Sequence, residues 1–331
     1  MAKVVLGLAA SHSPLLTLDW TEWRHRAEAD YSNSQLNLSD GRLVTYAELK
    51  AERGEPYAAI ATPEQFQDAS IRCQRGLDRL ADALNAAAID IVMVIGDDQG
   101  ELFPLSNTPM ISVYHGDEIA TNDVWGRDDK PAWMNEMGKG YLMDQVHRFP
   151  GAKNLALDVI RGLVRRNVDV GSSSHIDDPK KAGFGHAFGF IAERLFRDHS
   201  IPMLPVLLNT YFPPNVMTSA RAFDVGAALR AAAEDSPIDA RVAVIASGGL
   251  SHFVVDEPLD RQVLAGLTPG NADQLTSIPP EALNSGSSEI LNWIMTAGAV
   301  DHLPLTWTEY EPIVRTPAGT GVGVGFACWG A

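Results

Sequence analysis

Residues 89–95 read Ile-Asp-Ile-Val-Met-Val-Ile, a run that is apolar apart from Asp90. A strand that alternates apolar and polar residues has one face in water, whereas a strand without alternation is buried on both. A buried strand of this kind needs a sheet around it and helices above and below. The rest of the chain supplies both. Val4–Ala9, Met110–Tyr114, Ile201–Leu208 and Arg241–Ala246 read as further strands, and Leu303–Glu311 and Gly321–Ala327 as closing edge strands. Between them, Asn154–Arg166, Gly185–Arg197, Ser219–Ala233 and Glu281–Val300 carry helical patterns. The clearest helix begins at Thr62-Pro63-Glu64-Gln65, which offers an N-cap, a first-turn proline and a capping-box glutamine. Phe66, Cys73, Leu77, Leu80 and Leu84 then share one face. Alternating strands and helices define the expected fold class as α/β, a mostly parallel central sheet flanked by helices.

Two polar segments interrupt the alternation, roughly residues 15–60 and 117–150, and both carry embedded aromatics, among them Trp20, Trp23, Trp125 and Tyr141. The expectation is a single domain, 1–331, with two inserts acting as lids or subunit contacts rather than linkers. Of 331 residues, 45% are apolar, which is enough for a large core. The net charge of −16 repels phosphate backbones and argues against nucleic acid as a partner. Two cysteines far apart, Cys73 and Cys328, suggest neither a disulfide scaffold nor a structural zinc site. No apolar run reaches the roughly 20 residues that span a bilayer. The opening MAKVVLGLAASHSP lacks the regions of a signal peptide. The expected location is the cytoplasm, with no membrane partner.

Ligands of open α/β sheets bind beyond the carboxyl ends of the strands. Three polar clusters fall at such ends: Ser11-His12-Ser13-Pro14, Gly96-Asp97-Asp98-Gln99 and Ser247-Gly248-Gly249-Leu250-Ser251-His252. Any one of them reads most simply as a turn or cap, but three at one rim point to a site. Glu289 is a carboxylate among dense apolar residues, and such groups are seldom buried without a partner or a metal. Taken alone, Glu289 is better explained as a charge at a helix N-terminus, favoured by the macrodipole. Gly183–Gly189 lacks the spacing of a dinucleotide loop. Ser251 and His252 are adjacent, which is poor geometry for a hydrolase, and GLSHF is not a nucleophile elbow.

The segments ASHSP, GDDQ, GHAFGF, LLNTYFPPN, SGGLSHF and SSEILNWIM occur in the order seen in the class III extradiol dioxygenases. Over residue 3 to about residue 300, the chain resembles the catalytic beta subunit of protocatechuate 4,5-dioxygenase and its gallate and 3-O-methylgallate relatives. The resemblance implies an Fe(II) cofactor, a small aromatic substrate, O2 and a homodimer. It implies His12 and Glu289 as iron ligands, His252 as acid/base, and His186 as a histidine lining the substrate and oxygen side of the pocket. The family's second histidine ligand stands in an Asn-Asp-His, where this chain has Asp97-Asp98-Gln99. Three readings stay open: Gln99 ligates directly, Asp98 or His115 substitutes, or the metal has been lost. The last would make the chain a binding module on the same scaffold, similar to the Memo-type proteins. For an iron(II) oxygenase, a protein face of three ligands leaves the other side open to a catecholate and dioxygen. An imidazole that titrates near neutrality suits the proton transfers.

Overall fold

The strands of the main sheet are β1 (Lys3–Ala10), β2 (Ile91–Asp97), β3 (Ile111–Tyr114), β4 (Gly171–Ser173), β5 (Met203–Leu208), β6 (Arg241–Ser247), β7 (Leu305–Val314) and β8 (Gly321–Trp329). This computed structural model describes residues 1–126, 130–197 and 199–330; residues 127–129 of the expected second insert lie outside the described residues. The eight strands run in the order β7-β8-β1-β6-β2-β5-β3-β4. The centre, β1-β6-β2-β5, is parallel throughout. The expected α/β class, with a mostly parallel sheet between helices, is what forms.

Strand β2 is buried on both faces, as its composition requires. Val92 and Val94 join one hydrophobic core, and Met93 and Ile95 join the other. The first core is covered by α1 (Pro63–Ala86) and the short α3 (His186–Ile191). The second is covered by α2 (Lys153–Arg165), α4 (Ser219–Glu234) and α5 (Ile290–Val300). Helix α1 begins as expected, with Thr62 accepting a hydrogen bond from the Gln65 amide and Pro63 in the first turn. Its predicted apolar face, Phe66, Cys73, Leu77, Leu80 and Leu84, is buried.

Two expectations need correction. Leu305–Val314 is an edge strand, but Gly321–Trp329 lies between β7 and β1 and is buried along its whole length. Its Gly-Val-Gly-Val-Gly start gives a weak apolar signal, because small residues there let neighbouring elements close in. The helix expected within Glu281–Val300 occupies only the second half of that range. Short 3-10 turns at Pro280–Ala282 and Ser285–Glu289 precede α5, so Glu289 caps the N-terminus of the helix instead of lying within it.

Register decides where the site lies. Ala10 pairs with Ser247, and Ser247 with Gly96. The carboxyl ends of β1, β6 and β2 therefore stop level with one another, and the residues that come next emerge at one rim.

Helix α5 is buried on every side, because α4 lies against its outer face. The contact is backbone to backbone: a Cβ at Gly226 would lie 1.9 Å from the Met295 carbonyl oxygen. Gly226→Ala must push the two helices apart. We expect a loss of about 1–3 kcal/mol in unfolding free energy, read from urea denaturation; an unchanged midpoint would contradict this packing.

Candidate metal centre and active site

His12 lies two residues beyond the end of β1. Its backbone is tied down by the Tyr141 hydroxyl, which donates to the His12 carbonyl at 2.6 Å. The ring is oriented by Ser247: His12 Nδ1 and Ser247 Oγ are 3.0 Å apart, and that hydroxyl donates its one proton to the Ala187 carbonyl at 2.6 Å. Ser247 must therefore accept from Nδ1–H, which leaves the lone pair of the neutral ring on Nε2. Nε2 faces Glu289 Oε2 at 3.0 Å and Asp97 Oδ1 at 4.0 Å. It is buried and makes no hydrogen bond. A buried lone pair aimed at two carboxylates, with no donor between, suits a cation at that point.

Two acids form the other side. Glu289 Oε2 accepts from the Gly249 amide at 2.6 Å, and Oε1 lies 3.3 Å from both His252 Nε2 and Gln99 Nε2. Asp97, the last residue of β2, accepts from Asn292 Nδ2 at 3.1 Å and Gln99 Nε2 at 3.0 Å. His186 opens α3 beside them. Its Nδ1 is 2.5 Å from Glu101 Oε1, and its Nε2 is 3.8 Å from Asp97 Oδ2. Ligating atoms of His12, Asp97, His186 and Glu289 all lie within 4.8 Å of one another, a group able to hold a metal ion. In both histidines Nδ1 is taken by an outer partner and Nε2 faces the centre, the usual arrangement of metal-ligating imidazoles.

The charges respond to each other. Burial opposes charge on His186, but Glu101, Asp97 and Glu289 outweigh it and push the ring up to about 10. Burial would likewise raise Glu289, yet the imidazoles of His12 and His252, when they carry a proton where a cation would sit, hold it well below the usual carboxylate range. Asp97 is raised, by burial and then by the Glu289 charge. His252 is raised despite its burial, chiefly by Glu289. Its Nδ1 lies 2.9 Å from the Leu250 carbonyl, which can only accept, so Nε2 is the nitrogen that faces the site. Close approach here requires glycine, since a Cβ at Gly286 would meet His252 Cδ2 at 2.1 Å.

All five residues expected from the sequence, His12, Gln99, His186, His252 and Glu289, line one cavity of about 250 Å³. Gln99 is oriented with its amide nitrogen donating to Asp97 and Glu289. Asp98 points elsewhere, its two oxygens accepting from the Leu102 and Phe103 amides. His115, whose backbone amide bonds Ser173, does not line the cavity. Asp97 and Glu101 were missed by the sequence reading. Strand alternation held the signal for Asp97, because residues 97 and 99 share a side and residue 98 takes the other. Both inserts reach the cavity, the first through Arg26 and the second through Trp125, Met137 and Tyr141.

A mostly parallel sheet with clustered ligating side chains and a cavity at its carboxyl rim defines a candidate metal-dependent enzyme of the α/β class. The family model described as the catalytic LigB subunit of aromatic ring-opening dioxygenase matches residues 76–324, and the chain belongs to that family. His12 lies ahead of the matched span. No curated protein matches the chain. Among the described residues, no helix is long and apolar enough to cross a membrane.

Beneath His252, Asp260 accepts from the Ser251 amide and hydroxyl at 2.7 and 2.8 Å and from the Tyr310 hydroxyl at 2.7 Å. Burial nevertheless pushes its carboxyl up to about 6. The folded pKa is above the unfolded one, so this group's contribution to stability is complete below about pH 4 and is lost as pH rises through 6. Measured against the non-titrating Asp260→Asn variant, the wild type should lose up to about 3 kcal/mol of relative stability between pH 4 and pH 7. A flat difference across that window would show that the three donors cancel the cost of burial.

Proposed function

We propose that this chain is a non-haem iron(II)-dependent extradiol dioxygenase that opens the ring of a catechol-like aromatic or dihydroxy-heteroaromatic compound with O2. The observation that carries the reading is the convergence of His12, His186, Asp97 and Glu289 on one point, with His252 facing the same carboxylate. His12 and His186 through Nε2, with Glu289, would supply the two-histidine, one-carboxylate set that suits iron(II). In this reading His186 takes the corner that the sequence resemblance assigns to Gln99. Gln99 acts instead as a donor that holds Asp97 and Glu289 in place. The orphaned Nε2 of His12 and the surplus of buried carboxylates fit a divalent cation.

Iron bound there would supply a Lewis acid that acidifies the substrate hydroxyls and brings dioxygen beside the ring. The protein's part is orientation and proton transfer. His252 Nε2 takes a hydroxyl proton as the diol binds, and its Nδ1 stays anchored on Leu250, so the ring cannot turn away. Glu289 steadies the imidazolium that results. Trp125, Tyr211 and Phe253 wall the cavity and limit water. In the overall reaction the carbon–carbon bond next to the diol breaks and both oxygen atoms are retained. One new end is a carbonyl and the other a carboxylic acid. The ring itself supplies the electrons, so no outside reductant is needed. The same reading includes a cytoplasmic homodimer, for which sedimentation is the test.

Anaerobic loading with iron(II), followed by air and a panel of catechol, gallate and dihydroxypyridine, should give oxygen uptake matched one-to-one by a coloured ring-opened product. No uptake across the panel would sink the reading and favour a ligand-binding module. Ser247→Ala should cost about 10–100-fold in iron(II) affinity by freeing the His12 ring, measured by calorimetry. His186→Ala should cost as much, whereas Gln99→Ala should cost clearly less. The reverse order would return the third corner to Gln99.

A further inference from the structure

The sequence around His252 supplies little stiffness of its own. Gly248 and Gly249 precede it, and its ring lies so close to Gly249 that a Cβ there would stand 2.7 Å from His252 Cε1. Gly286 crowds the other side of the ring. Glycines leave a backbone free to move, so whatever holds the imidazole against Glu289 must come from elsewhere in the fold. The first insert provides it. Its short strands Leu36–Asn37 and Leu43–Val44 pair as an antiparallel hairpin. Leu36, Leu38 and Val44 form a small core with Val254, and Phe253 packs against it. The hairpin thus sits directly on the residues that follow His252.

Asn37 is the point of contact. It is buried, and both ends of its side-chain amide are engaged. The oxygen accepts from the Phe253 amide at 2.7 Å, and the nitrogen donates to the Ser287 hydroxyl and the Asn284 carbonyl, each at 3.1 Å. A backbone N–H can only donate and a carbonyl can only accept, which fixes the orientation of the side chain. Ser287 passes the contact on. It accepts from the His252 amide at 3.0 Å and donates its one proton to the His252 carbonyl at 3.1 Å. Ser39 Oγ donates to Asp256 at 2.5 Å and Asn284 Nδ2 to the Leu38 carbonyl at 3.3 Å, which closes the seam on both sides. The peptide groups before and after His252 are therefore both clamped, and the clamp reaches to within two residues of Glu289.

We propose that Asn37 is a positioning residue for the acid/base: through Ser287 and the Phe253 amide it fixes His252 Nε2 at its 3.3 Å from Glu289 Oε1. The proposal rests on the ring-opening reading for what the imidazole does, but the restraint is present without any reaction. Proton transfer needs its base within hydrogen-bond reach, and a misplacement of about 1 Å costs about 100-fold in rate. An insert outside the sheet thus holds the group that moves protons, whereas strands and helices hold the ligating cluster.

Two full-length variants test it, Asn37→Ala and Ser287→Ala, which cut the same clamp from opposite sides; circular dichroism checks that each is folded. In the iron-loaded chain acting on catechol, either variant should lower kcat about 10–100-fold. KM and iron(II) affinity should stay within about threefold of the wild type. In a His252→Ala background the same substitutions should change kcat by less than about twofold, because a residue that acts through His252 has nothing left to position. An equal loss in both backgrounds would overturn the proposal and leave Asn37 a purely structural residue. The second readout needs no reaction. In the metal-free chain, NMR should find the His252 Nδ1 proton protected on the Leu250 carbonyl, with the signal assigned by its loss in His252→Ala. Either clamp variant should exchange that proton with water at least about tenfold faster. Unchanged protection in both folded variants would overturn the proposal whether or not the chain opens rings. Faster exchange in a chain that consumes no oxygen with any diol keeps the clamp and removes the reaction.

Discussion

The pairing of Ala10 with Ser247 and of Ser247 with Gly96 governs the layout of the whole rim. Neighbouring strands lie about 4.8 Å apart, so three chain segments that end level deliver their next side chains into a space about the size of a coordination sphere. His12 arrives from one strand, Asp97 from the second, and Ser247 from between them to hold the imidazole. A shift of one residue in any of these pairings would turn the corresponding side chain to the opposite face of the sheet. The hydrophobic cores on both faces forbid that shift, because Val92, Met93, Val94 and Ile95 are committed alternately to one core or the other.

The same arrangement explains how so many acids are tolerated out of water. Asp97, Glu101 and Glu289 lie among His12, His186 and His252, and each carboxylate accepts at least one hydrogen bond from an amide or imidazole. Glu289 gains further from its place at the N-terminus of α5, where the helix dipole favours negative charge. Buried ion pairs seldom stabilise a fold on balance, and they are kept where their fixed geometry serves another purpose. Here the geometry leaves two imidazole nitrogens facing inward with their outer nitrogens tied, an arrangement prepared for a cation before any cation binds.

The inserts give the site its individuality. The sheet and its helices form the metal side of the cavity, while Arg26, Trp125, Met137 and Tyr141 reach it from the two polar segments. Tyr141 also couples the second insert to the centre, since its hydroxyl bonds the His12 carbonyl. These cavity-lining side chains can therefore change without disturbing the strands that position the clustered ligating groups.

The α/β architecture and three of the polar rim residues, His12, Gln99 and His252, were legible in the chain because local patterns encode them, while Glu289 became a candidate ligand only through likeness to a family. An unbroken apolar run requires burial on both faces, and a polar cluster after such a run belongs at a strand end. His186 was legible only through likeness to a family, and its partner Glu101 was not legible at all, because no local pattern joins residues 85 apart. The same limit hid the pairing of Arg315 with Asp30, which joins residues 285 apart. The inner position of Gly321–Trp329 was hidden as well, since glycine carries little apolar signal however deeply it is packed. Sequence determined which groups could do chemistry and roughly where each would surface. Tertiary structure alone decided which nitrogen faces which oxygen, because hydrogen-bond direction and charge balance depend on neighbours that only folding brings together.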